Sequence, residues 1–169
     1  KTLVVSAFDL DASVDILNTD PYEEMYTNAQ VYKSVIVVNS LIANAISSMI
    51  RFIQGAGGPS VKDSQSSAFK ALATLVVSAN NQSSSRRALL AFYPSLDLTN
   101  VAVLSELIEN TVSQAKTDGA LSSSASVASS SIEAVSNAMV NSGSVITKAA
   151  EKLVDSGGLS TFLTTVVAT

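Results

Sequence analysis

Asp9, Asp11, Ser13, Asp15 and Asp20 occupy the first, third, fifth, seventh and twelfth places of a twelve-residue stretch. That is the spacing with which calcium loops present oxygen ligands to a hard cation. Two departures weigh against such a site. The sixth place, which needs glycine for the tight turn, is Val14, and the last ligand is Asp20 rather than a bidentate glutamate. The competing expectation is that Asp9, Asp11 and Asp15 close short turns facing solvent. Asp20 stands just before Pro21, so its carboxylate is placed to accept from the open amides of a helix start, with proline at the first helical position and Glu23 completing a capping box. One carboxylate serves poorly in both roles.

The remaining candidates for chemistry are sparse. Glu23 and Glu24 fall in a first helical turn, where the helix dipole stabilises negative charge. Glu106 and Glu109 lie three apart on one helix, but no histidine completes a carboxylate–histidine metal set. Gly55-x-Gly57-Gly58 precedes a helix as a phosphate loop does, yet it lacks the Gly-Lys-Ser/Thr ending and a feeding strand, so a helix C-cap is the expectation. The absence of both cysteine and histidine removes disulfides, thiolate nucleophiles, Cys/His zinc sites and Ser-His-Asp triads together. Acid–base work would fall to isolated carboxylates, lysines and tyrosines. The chain therefore reads as non-catalytic, with calcium the one cofactor its spacing raises. Asn81-Gln82-Ser83 is a glycosylation sequon, which makes Asn81 the acceptor if the chain passes through a eukaryotic secretory pathway. Arg86-Arg87 offers a place for tryptic-type cleavage.

The elements that position these residues follow from composition and periodicity. The 169 residues are enough for one buried core. Apolar residues make up 47% and charged residues 14%, well under the roughly 25% of ordinary soluble domains, so the core is aliphatic and the exterior weakly charged. A net charge of −4 disfavours nucleic acid and anionic membrane as partners. The start at Lys1, without methionine, reads as a segment of something larger.

The pattern predicts an all-α single domain, a bundle of five or six helices with one long central helix. Residues 1–20 form a lead-in and cap, extended or helical at Thr2-Leu3-Val4-Val5. The central helix spans 21–54, with Val31, Val35, Val38, Ile42, Ile46, Ile50 and Ile53 at helical spacing. Gly55 to Pro59 stops it. Further helices follow at 60–79, capped by Ser60, at 97–117, capped by Asp97 or Thr99, and at 122–141 and 145–169, while 80–96 is an irregular connection. Val61, Ala68, Phe69, Leu72, Leu75 and Val76 are the expected inner face of the second helix. The run from Val35 to Ile53 is nearly long enough to cross a membrane, but Asn39, Ser40, Asn44, Ser47 and Ser48 interrupt it, so a buried central helix is expected, with Asn39 or Asn44 buried and fixing register.

The order Thr2-Leu3-Val4-Val5, Val14-Asp15-Ile16-Leu17-Asn18-Thr19-Asp20-Pro21-Tyr22, Ala29-Gln30-Val31-Tyr32 and Val37-Val38-Asn39-Ser40 resembles the helical modules of very large secreted or surface proteins of marine and photosynthetic microbes. The resemblance covers Thr2 to Ile53. It implies a spacer or docking element beside calcium-binding or adhesion domains, with no catalytic residue to carry over. The expected function is a structural or interaction module, extracellular or on the cell surface, packing against other protein domains or copies of itself. Val37, Val38, Met49 and Phe52, lying beyond a single stripe, are its expected interface. The alternative is a carrier that holds a lipid or pigment in gaps left by Ala43, Ala71, Ala73 and Ala134.

Overall fold

In the computed structural model, which describes residues 2–58, 60–80, 96–153, 155 and 158–168, the long apolar helix begins later than its proline suggests. Pro21 opens a single turn, α2 (Pro21–Glu24), after the short helix α1 (Thr2–Ala7). The long helix α3 spans Ala29–Gly55. Between them, the Thr27 hydroxyl bonds to the carbonyl and carboxylate of Glu24, and Asn28 takes a non-helical conformation as the N-cap of α3. Short polar side chains that bond nearby backbone compete with the helix, which is why the predicted 21–54 helix is split.

At the far end of α3 the glycines act as predicted. Gly57 adopts φ 102°, its amide donates to the Gln54 carbonyl, and the Gly58 amide donates to the Ile53 carbonyl at 2.9 Å. This is a Schellman ending, which needs a left-handed residue where glycine stands. Helix α4 (Val61–Asn80) then starts at Ser60, whose Oγ accepts from the Asp63 amide.

Helix α5 (Val101–Thr117) is capped by Asn100, which accepts from the Ala102 amide at 2.9 Å. Asp97 and Thr99, the expected caps, instead bond to each other one turn earlier. The serine-rich residues 122–128 are turns rather than helix. Helix α6 (Ser129–Ala150) runs through the break expected near residue 143 and so unites two predicted helices. Gly143 is buried there because α3 and the start of α5 come close: a Cβ would lie 3.2 Å from Leu41 Cδ2. Helix α7 (Gly158–Ala168) follows.

The protein is all-α, with seven helices and no strand among the described residues, two of them too short to announce themselves by periodicity. Helices α3, α4, α5 and α6 each pack against two neighbours in a closed ring, and α3 also touches α5 across it. Helix α1 lies on α4, α2 on α3 and α7 on α6. Met49, Ile53, Leu75, Leu104, Leu107, Ile108, Ile146 and Phe162 are fully buried. Helix α4 buries Ser64 and Ser67 toward the ring and leaves the predicted inner residues Val61 and Phe69 exposed. Small hydroxyl residues let backbones approach, and these two are satisfied by the Ser60 carbonyl and the Asp118 carboxylate. On α3 the buried polar residue is Ser40, donating to the Ile36 carbonyl, whereas Asn39 is exposed and Asn44 half-buried, contrary to the expected register role.

Candidate functional site

The four carboxylates of the calcium-like spacing lie on successive turns, each with its own local role. Asp9 has a left-handed φ of 52°. Asp11 Oδ1 accepts from the amide and hydroxyl of Ser13 at 2.8 and 2.6 Å, and these donors hold its carboxyl below the usual range. Asp15 accepts from the Leu17 amide and the Asn18 side chain, and its carbonyl takes the Thr19 hydroxyl. Asp20 caps α2 by accepting from the Tyr22 amide at 2.8 Å. Burial, and then the neighbouring Asp20 charge, push the Tyr22 phenol up. No group of three or more acidic side chains converges where it could hold a metal ion, among the described residues.

The other candidates are likewise separate. The glycine amides after α3 that a phosphate would need donate back to the helix. Glu106 is half-buried and Glu109 exposed. A polar contact joins α4 to the end of α5: Lys70 Nζ lies 2.9 Å from Asp118 Oδ1, with Ser67 and Gln114 also donating to that carboxylate. Lys70 first, and then these donors, lower the Asp118 carboxyl despite some burial. Asn81 and Arg86-Arg87 lie outside the described residues.

The expected interface residues divide. Met49 is fully buried, with the Thr111 hydroxyl against its sulfur, and is withdrawn from the interface: α3 is covered by α4, α5 and α6, so it buries more than one stripe. Val37 and Val38 are half-buried on the core, and Val38 lines a cavity of about 130 Å³ closed by Val4, Leu10 and Val14 of the lead-in. Phe52 is half-buried in an open groove of about 580 Å³ between the end of α3 and the start of α6. Ala56, Val127 and Val135 share its apolar lining, and among the described residues Arg51 is the only charged one on it. Arg51 makes no hydrogen bond or ion pair among the described residues. Sequence reasoning missed this groove because Arg51 and Val127 are far apart in the chain. Helix α3 is long and apolar enough, by length and composition, to cross a membrane. Here its apolar stripe is spent on the ring and the lead-in.

The fold and these surfaces define an all-helical protein whose titratable groups are dispersed among the described residues. No known protein family, curated protein or solved structure matches the chain.

Proposed function

We propose that this chain is a non-catalytic structural module of an extracellular or cell-surface protein, packing against sister domains or copies of itself in a surface assembly or filament. The observation that carries this reading is a contrast on the surface. The carboxylates Asp11 and Asp20 are spent on their own turns, while large apolar side chains such as Leu17, Tyr26, Phe69 and Val167 stand between 51% and 88% exposed. Apolar groups on a sparsely charged exterior favour contact with other protein surfaces. The extracellular setting rests on the resemblance of the first third of the chain. A carrier would draw its chamber from the small residues named above, but of these only Ala71 is buried, and Ala43, Ala73 and Ala134 face solvent.

Sedimentation velocity over a wide concentration range tests packing between copies. A weight-average mass that climbs with concentration supports it. A 17.4 kDa monomer at every concentration contradicts it.

A further inference from the structure

Charge is divided unequally between the two ends of α3. At its N-terminal end lies the lead-in, where the stretch from Asp9 to Glu24 holds six carboxylates and no lysine or arginine. Leu17 and Tyr26 project from this region, 71% and 77% exposed. At the other end of α3 meet the start of α4, the end of α5 and the start of α6, joined by the Lys70–Asp118 pair and by the approach of Gly58 to Ala120. Here the groove over Phe52 carries Arg51 and, among the described residues, no carboxylate on its lining. Helix α6 begins on the same groove with no acidic residue in its first turn and no side-chain cap on its amides, so its dipole adds to the positive potential.

One end thus offers apolar side chains among carboxylates, and the other an apolar groove with a guanidinium that is unpaired among the described residues. We propose that the groove receives the lead-in of a second copy, with Tyr26 against Phe52 and Glu23 and Glu24 facing Arg51. This rests on the reading that the chain packs against copies of itself. A tyrosine entering a groove beside an arginine is the kind of anchor that dominates protein contacts, and the guanidinium gains from both the ring and the carboxylates. The two surfaces sit at opposite ends of a 27-residue helix, about 40 Å long at 1.5 Å per residue. Such a contact is head-to-tail. It leaves a free knob and a free groove on every pair and propagates, whereas a self-matching patch would stop at a dimer. Because the contact is charge-complementary, added salt weakens it.

Charge exchange tests the pairing on the intact chain. The variants Arg51→Glu and Glu23→Lys/Glu24→Lys alter charges outside the buried core, the second also removing the carboxylate that accepts from the Thr27 hydroxyl. By sedimentation velocity each variant alone is expected to associate at least about tenfold more weakly than the parent. Their equimolar mixture is expected to regain association, since each knob then meets a groove of opposite charge, and this also shows that both variants are folded. Tyr26→Ala is expected to weaken assembly without changing the circular dichroism spectrum. If the parent assembles and both variants assemble equally well, the pairing is wrong while packing between copies stands. Loss of assembly in Phe69→Glu alone would then move the contact to the outer face of α4. A mixture that stays monomeric while both variants keep the parent spectrum also overturns the pairing. A parent that is monomeric throughout overturns both it and packing between copies.

Discussion

The acid-rich segment of residues 9–28, which joins the lead-in to α3 through α2, and the ring of α3 to α6 are held by different physics. In this segment, carboxylates accept from amides two residues on, and threonine hydroxyls donate to carbonyls three or four residues back, so these bonds are local. Only Val14 and Met25 are fully committed to the interior. In the ring, aliphatic side chains from four helices cover one another and the polar contacts are few. Local bonds fix a shape at small cost to the rest of the molecule, and burial far along the chain supplies cooperative stability. The residues that look most chemical are therefore those that shape a surface.

The largest way to break this contrast is in the ring. Ile53→Ala, at a fully buried position, is expected to cost about 2–5 kcal/mol in denaturant unfolding. The ring's cap comes next: Asn100→Ala removes the acceptor for the Ala102 amide and is expected to cost about 1 kcal/mol of the same global stability. Asp20→Ala removes a comparable bond in the lead-in, but α2 is one turn long, so the loss is expected as faster amide exchange at Tyr22 with global stability changed by under about 0.5 kcal/mol. Equal global effects of the two cap variants would erase the distinction.

Metal addition and acid sharpen the comparison with smaller effects. A calcium site in the lead-in with a Kd near 10⁻⁴ M would add about 1.4 kcal/mol at about 1 mM calcium. The dispersed geometry of Asp9, Asp11, Asp15 and Asp20 predicts no shift in melting temperature. Asp118 and Asp11 both have carboxyls lowered on folding, so each contributes stability that is present above the unfolded value near 4 and is lost as pH falls through the lower folded value. Asp118 ties α4 to α5, whereas the Asp11 carboxylate bonds only to Ser13 among the described residues. Asp118→Asn is expected to flatten the acid side of the stability profile more than Asp11→Asn, measured by denaturation between about pH 5 and 2.

Much of the helix punctuation was legible in the residues. Asp20-Pro21, the stop at Gly57 and Gly58, and Ser60 each act through one or two neighbouring bonds, which sequence spacing captures. Where tertiary packing intervenes, spacing misleads. Gly143 looks like a break and is instead the contact that lets α6 pass close to α3. Met49 looks like an outward apolar residue because it lies off the main apolar stripe, while three helices cover α3. Asp97 and Asn100 are both good caps, and only the turn between Asp97 and Thr99 decides between them. The groove was least legible, since its two walls lie on α3 and on residues 126–135 and meet only in the folded chain.

Hydrogen–deuterium exchange of the unmodified chain at low and high protein concentration tests most directly whether the acid-rich lead-in is a contact surface. Added protection on concentrating the protein is expected at residues 15–28, 48–56 and 126–135 together, with the outer face of α4 unchanged. Protection that is identical at both concentrations, or that rises around Phe69 and Val77 instead, would contradict it.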